Sequence, residues 1–131
     1  MARRTSPCPC GLGASYADCC GPLHQGGTAT TAEQLMRSRY SAFVVGDTAY
    51  LLRTWSAETR PAELHLDEDI SWTGLEILGS TDGSPFHTTG TVEFRASYRL
   101  GGRTGHQQEN SRFVREDGAW VYVTAVDATG R

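Results

Sequence analysis

The stretch Thr91–Val123 reads TVEFRASYRLGGRTGHQQENSRFVREDGAWVYV and contains three strand-like segments separated by two turn signals. Over Val92–Tyr98, apolar and polar residues alternate, which is the pattern of a β-strand with one buried face. The pairs Gly101–Gly102 and Asp117–Gly118 are typical of tight hairpin turns. The stretch therefore predicts an antiparallel meander.

The segments before this meander predict one further strand and several helices. Ile70–Ser80 has the β-branched and aromatic residues of a strand. Ala32–Val45 has apolar residues at helical spacing and follows a threonine capping signal. Thr48–Trp55 is predicted as a second helix, and Ala57–Leu64 as a third, short one. Helices followed by a meander indicate an α+β domain, in which N-terminal helices pack on an antiparallel sheet.

The strand His106–Glu116 differs from its neighbours because it is polar on both faces as far as Phe113. If Phe113 points inward, a period of two places Ser111, Glu109 and Gln107 on the same inner face. Each polar group buried there without a partner would cost about 1–3 kcal/mol. We therefore expect these groups either to open onto a wet cavity or to satisfy one another.

Two interpretations of Glu109 remain open. In one, it lines a ligand-binding cavity, with Arg112 on the opposite face of the strand. In the other, the strand lies near an edge and Glu109 forms an ion pair with Arg95 or Arg99. The helical aromatics Tyr40, Phe43 and Trp55 are expected to cover the apolar end of the concave face. The candidate ligand-binding residues are Glu109, Ser111, Phe113, Trp55 and Tyr98.

All four cysteines of the chain lie within thirteen positions near the N-terminus, at Cys8, Cys10, Cys19 and Cys20. Disulfides between adjacent cysteines are strained, although a crossed pair such as Cys8 with Cys19 is geometrically feasible. The Cys-x-x-Cys motif of redox catalysts is absent. Four thiolates suit a closed tetrahedral site of the structural zinc type. His24 is either a rival fourth ligand or an exposed residue of a glycine-rich loop.

Charge and hydropathy restrict the class of protein. The 131 residues suit one domain of ordinary size, and the formal net charge is −3, which does not favour nucleic-acid binding. No apolar run is long enough to span a membrane. The N-terminal residues lack the apolar segment of a secretory signal, so we expect a cytoplasmic location.

Two parts of the chain resemble known families. CPCGLGASYADCC (8–20) is similar to the SEC-C motif, in which the four matching positions, here Cys8, Cys10, Cys19 and Cys20, bind one zinc ion. LMRSRYSAFVVGDTAYLLRTW (35–55) and GGRTGHQQENSRFVREDGAWVYV (101–123) resemble the YchJ family of bacterial proteins of unassigned function. This resemblance implies a SEC-C zinc knuckle over residues 1–26 and a nuclear-transport-factor-2-like (NTF2-like) cone over residues 27–131.

The resemblance implies no defined activity, since this fold hosts enzymes, receptors and scaffolds. The leading expectation is a non-enzymatic binding or adaptor module that docks a protein partner through its knuckle. The alternative is a small-molecule-binding protein or an enzyme that uses the cone, with Glu109 as a general base or an orienting group. Because sheet faces in this fold often pair, a homodimer is also compatible with the sequence.

Overall fold

Helices precede a four-stranded sheet in the computed structural model, which describes residues 6–127. The predicted α+β class is therefore confirmed. The predicted domains, 1–26 and 27–131, include residues 1–5 and 128–131, which lie outside the described residues. After a 3-10 turn at Tyr16–Asp18, the elements are α1 (Cys20–His24), α2 (Ala32–Val45), α3 (Thr48–Arg53), β1 (Ile70–Asp82), β2 (Thr89–Leu100), β3 (Arg103–Glu116) and β4 (Ala119–Asp127).

The sheet is the predicted meander, with strand order β1-β2-β3-β4 and every neighbouring pair antiparallel. Register shifts occur in β1 between Trp72 and Gly74, and again between Ile77 and Gly79. Further shifts occur in the pairing of β3 with β4, between Asn110 and Ser111 and between Arg112 and Phe113, and the extra residue at each lies in β4. Because bulges bend a strand and increase its twist, they curve the sheet. The concave face is the one that α2 covers.

Helix α2 forms over the residues that the sequence predicts, and its start is capped. The hydroxyl of Thr31 accepts a hydrogen bond from the backbone N–H of Gln34 at 3.0 Å. In return, the side-chain oxygen of Gln34 accepts from the backbone N–H of Thr30 at 2.7 Å. These reciprocal bonds satisfy donors that a free helix end leaves unpaired. Within residues 6–127, no helix is long and apolar enough to cross a membrane.

The prediction of a third helix over Ala57–Leu64 is wrong, and the second predicted helix, α3, ends two residues earlier than predicted. The backbone N–H of Ser56 donates to the Tyr122 carbonyl at 2.7 Å, and the N–H of Tyr122 donates to the Thr54 carbonyl at 2.8 Å. These bonds hold the chain beside β4 in a short parallel bridge. Helical continuation from α3 is therefore lost, and Pro61 has no N–H to donate to the Ala57 carbonyl, as a helix over Ala57–Leu64 would require.

Candidate metal centre and adjoining cavity

A short hairpin joins the two pairs of cysteines. The backbone N–H of Cys8 donates to the Ala14 carbonyl at 2.9 Å, and that of Tyr16 donates to the Ser6 carbonyl at 2.8 Å. At the tip of the hairpin, Gly11 has a φ of 85°, a conformation that only glycine adopts without strain. The hairpin thus returns the chain to the 3-10 turn and α1, which carry the other two cysteines.

The four thiol groups form one cluster. Their sulfur atoms all lie within 4.8 Å of one another, and those of Cys10 and Cys19 are 3.6 Å apart. Cys8, Cys10 and Cys20 are buried, Cys19 is half-buried, and each is a free thiol. This donor set could hold a metal ion.

Hydrogen bonding within the cluster shifts the pKa values of the Cys10 and Cys20 thiols in opposite directions. The hydrogen bond from Cys20 lowers the pKa of the Cys10 thiol to about 5, and the same bond raises the pKa of Cys20. Burial raises the pKa of Cys19 to about 12. A metal ion would have to displace the protons of Cys19 and Cys20, so its affinity should fall as the pH falls.

The cluster is fastened to α2 by residues that the sequence did not single out. The hydroxyl of Ser41 donates to the Cys20 sulfur at 3.3 Å and lies 3.5 Å from the Cys8 sulfur. The guanidinium of Arg37 donates to the Cys10 carbonyl at 2.9 Å. Neither residue is close to the cysteines in the sequence, so no local sequence pattern predicts these contacts.

His24 is neither an exposed loop residue nor a member of the sulfur cluster. It ends α1 and is half-buried, which corrects the expectation of an exposed loop histidine. Its Nε2 donates to the Ser38 carbonyl at 2.9 Å, because a carbonyl can only accept. Its Nδ1 therefore accepts from the Tyr16 hydroxyl, at 2.6 Å. Because both of its ring nitrogens form hydrogen bonds, His24 links the knuckle to α2.

We predict that His24→Ala leaves the metal content of the purified chain unchanged. The substitution should lower the free energy of unfolding by about 1–3 kcal/mol, because the Ser38 carbonyl and the Tyr16 hydroxyl lose their shared partner. Elemental analysis and urea denaturation measure the two quantities on the same preparation. A fall in metal content would show that His24 is a ligand.

A separate cavity of about 320 Å³ lies between α2 and the concave face of the sheet. Its walls are mainly apolar. The aromatic residues that line it are Tyr40, Phe43, Trp55, Trp72, Phe94 and Tyr122. Tyr40 and Phe43 come from α2, so the predicted helical aromatics do reach the concave face.

The polar part of this cavity comes from β3. In the register of the sheet, Glu109 pairs with Phe94 of β2, so its side chain lies on the concave face. The carboxylate accepts hydrogen bonds from Ser111 at 2.7 Å, from the Tyr122 hydroxyl at 3.4 Å and from the Gln107 amide at 3.4 Å. Neutral donors thus hold Glu109 in place at the edge of the cavity.

The alternative ion pair with Arg95 or Arg99 is not formed. Arg95 instead pairs with Glu76 at 3.4 Å. Within residues 6–127 no arginine lies at ion-pair distance from Glu109. Arg112 is exposed on the convex face.

The predicted ligand-binding residues divide into two groups. Glu109, Ser111 and Trp55 line the cavity. Phe113 and Tyr98 lie outside its lining: Phe113 is 0% exposed with its ring centre 5.9 Å from that of Tyr122, and Tyr98 packs edge-on against Trp72. The structure thus brings together three of the five residues.

Arg39 is the charged residue of the cavity that the sequence analysis did not predict. Its side chain is 4% exposed, and its Nη1 donates to the Leu51 carbonyl and to the Thr54 hydroxyl, each at 2.8 Å. Burial lowers its pKa to about 10, which still leaves it positive at neutral pH. Arg39 lies three residues after Met36, on the side of α2 that faces the core. This helical spacing was the sequence feature that could have predicted its burial.

A larger open cleft of about 600 Å³ lies beside the knuckle and the start of α2. Arg37 in its wall already pairs with Glu33 at 3.0 Å and bonds the Cys10 carbonyl. We therefore place the candidate ligand site in the smaller cavity, where Arg39 has no carboxylate partner among residues 6–127.

Comparison with known proteins identifies the family. Residues 31–125 match the family model described as the YchJ middle NTF2-like domain. The chain belongs to the YchJ family. Residues 4–22 of this YchJ-family chain also match the SEC-C motif, and this range includes all four cysteines.

Curated relatives of this YchJ-family chain are similar over most of their length. A UPF0225 protein of Streptomyces coelicolor is 65% identical over 121 residues, which are 91% of this chain and 94% of the relative. A UPF0225 protein of Corynebacterium glutamicum is 53% identical over 118 residues, covering 89% and 94% of the two chains.

Two solved structures have the same fold. The solution structure of a SEC-C motif containing protein from Rhodopseudomonas palustris has a TM-score of 0.79 and 36% identity, covering 92% of this chain and 98% of that one. The crystal structure of such a protein from Psychrobacter arcticus has a TM-score of 0.77 and 28% identity, covering 96% and 83%. The NTF2-like fold implied by the resemblance is thereby confirmed.

Proposed function

We propose that this YchJ-family protein binds a small molecule in the cavity between α2 and the sheet, and that its cysteine cluster holds one structural zinc ion. The observation that carries the first part is the cavity of about 320 Å³, which combines aromatic walls with Arg39 and Glu109. Ligand pockets of about 300–1,000 Å³ with mainly apolar walls and few polar groups are typical of small-molecule sites.

The donor set supports zinc at the knuckle. Zinc bound to four thiolates at about 2.3 Å places the sulfurs about 3.8 Å apart in a tetrahedron. The 3.6 Å separation of Cys10 from Cys19 and the 4.8 Å limit for the whole cluster agree with that size. Four sulfur ligands leave no open coordination position, so the ion would cross-link the hairpin to α1 rather than catalyse a reaction.

Helix α2 connects the two sites. One of its faces carries Ser38 and Ser41, which contact the knuckle. Another carries Arg39 and Tyr40, which line the cavity. A folded knuckle would therefore hold the helical wall of the cavity in position, which gives the zinc ion a role in ligand binding without contact to the ligand.

Binding is favoured over acid–base catalysis by the placement of the histidines. His24 is engaged between the knuckle and α2, and none of the four histidines lines the cavity. Free thiols persist in a reducing compartment, so we include a cytoplasmic location in the proposal. Docking of a protein partner on the knuckle and homodimer formation remain predictions.

A cavity-filling variant tests the proposed site. Ala96 is 4% exposed and lines the cavity, so Ala96→Leu should fill part of it. Toluene is a suitable neutral probe, and ligand-detected NMR should show it bound to the wild-type chain and lost from Ala96→Leu. Ser97→Leu makes a matched control, because its side chain lies on the convex face of the same strand. Toluene binding that survives Ala96→Leu would place the probe elsewhere and contradict the proposal.

A further inference from the structure

Two opposite charges share the cavity without forming an ion pair. The guanidinium carbon of Arg39 lies 4.9 Å from the ring centre of Tyr122. The hydroxyl of the same tyrosine lies 3.4 Å from a carboxylate oxygen of Glu109. Within residues 6–127 neither charged group forms a salt bridge. A cation and an anion therefore both lie next to one aromatic side chain.

Arg39 has donors left for a ligand. A guanidinium carries five N–H groups, and within residues 6–127 the hydrogen bonds of Arg39 all start from Nη1. Its N–H groups at Nε and Nη2 remain, although the residue is 4% exposed. Because a buried cation without an anionic partner is energetically costly, these donors point to an acceptor that the protein does not supply.

Trp55 adds a buried donor without a partner beside Arg39. Its indole N–H is buried and has no hydrogen-bond partner among the described residues. Its ring lies 5.2 Å from the guanidinium carbon of Arg39 and lines the same cavity. Unpartnered buried donors are rare in folded proteins, and the ring that carries this one lines the cavity.

Glu109 has acceptor capacity left as well. One of its oxygens, Oε1, accepts only from the Gln107 amide at 3.4 Å within the described part of the chain. A carboxylate offers about four acceptor sites. Since all of its partners are neutral, the negative charge is available to a cationic group of a ligand.

We propose that the ligand is a small zwitterion, an α-amino acid with an apolar or aromatic side chain, whose carboxylate meets Arg39 and whose ammonium group meets Glu109. Its side chain would lie against aromatic residues such as Phe43 and Trp72. This inference rests on the proposed function. A cavity of about 320 Å³ is at the small end of ligand pockets and suits a single small molecule.

The charge balance favours a zwitterion over simpler ligands. A carboxylate without an ammonium group would pair with Arg39 but would bring a second negative charge towards Glu109. An amine without a carboxylate would pair with Glu109 but would bring a second positive charge towards Arg39. A neutral molecule would leave both charges uncompensated. Only a ligand with both charges pairs each protein group with its opposite.

Titration calorimetry on the full chain, purified with its metal, tests this assignment. L-phenylalanine, L-leucine and L-tryptophan are the zwitterionic probes, and 3-phenylpropionate, phenethylamine and toluene are the matched analogues of the first. We expect at least one amino acid to bind at least about tenfold more tightly than its singly charged analogues, because hydrogen bonds between charged groups contribute more than neutral ones.

The variant Glu109→Gln keeps the shape of the side chain and removes its charge. It should reduce amino-acid affinity at least about tenfold and leave 3-phenylpropionate bound as tightly as before or more tightly. Glu93→Gln is the matched control, since Glu93 lies on the convex face of β2 and bonds Gln108. It should leave every affinity unchanged.

The outcomes separate the two proposals. Toluene binding without amino-acid binding would overturn the zwitterion assignment and leave the cavity as a ligand site. Equal affinities for an amino acid and a singly charged analogue, or an unchanged amino-acid affinity in Glu109→Gln, would also overturn the assignment. If neither toluene nor any amino acid binds, the proposed function itself fails.

Discussion

Replacing Cys10 with serine is expected to release a zinc ion, of which the wild-type chain should carry about one equivalent. The Cys10 side chain is 0% exposed, and its sulfur is one of the four in the cluster, 3.6 Å from that of Cys19. A serine hydroxyl does not replace a thiolate ligand. Since structural zinc sites contribute about 10–16 kcal/mol of binding free energy, losing one ligand should be a large effect.

Elemental analysis after gel filtration under reducing conditions measures the zinc content. Leu12→Ser is a suitable control, because Leu12 lies in the same hairpin and is 56% exposed. The α+β domain should keep its circular dichroism spectrum in Cys10→Ser, because the cysteine cluster packs apart from the main hydrophobic core. A wild-type chain that carries no metal and titrates four thiols, or a Cys10→Ser chain that retains a full equivalent, would disprove the zinc site.

Truncating Phe113 to alanine is expected to lower the free energy of unfolding by about 3–5 kcal/mol. Phe113 is 0% exposed, and its ring packs edge-on against Tyr122. Removing the ring would lose buried apolar surface and would also leave a cavity in the core. Both effects lower the free energy of unfolding. Urea denaturation of the metal-loaded chain measures the change.

Arg112→Ala is the neighbouring control, because Arg112 is exposed on the convex face. It should change stability by less than about 0.5 kcal/mol. Phe113→Leu, which keeps most of the volume, should cost less than Phe113→Ala. If Phe113→Ala costs under about 1 kcal/mol, the ring borders open space, and Phe113 belongs to the ligand site after all.

Local sequence patterns were sufficient to predict most of the secondary structure. The alternation in β2 and the turn pairs after β2 and β3 predict the meander because strand periodicity and hairpin geometry depend on neighbouring residues. The capping residues Thr31 and Gln34 likewise predict the start of α2. The spacing of the four cysteines predicts the cluster, since a hairpin brings such positions together regardless of the remaining fold.

Contacts between distant residues required the tertiary structure. The segment after α3 was predicted to be helical, but Ser56 bonds to Tyr122 of β4, and the residues that follow form only a turn. The bond between Ser41 and Cys20 links residues 21 positions apart. The placement of Arg39 and Glu109 next to Tyr122 likewise joins α2, β3 and β4. Periodicity indicates which face of an element is buried, but packing decides which side chains meet there, because their partners lie on other elements.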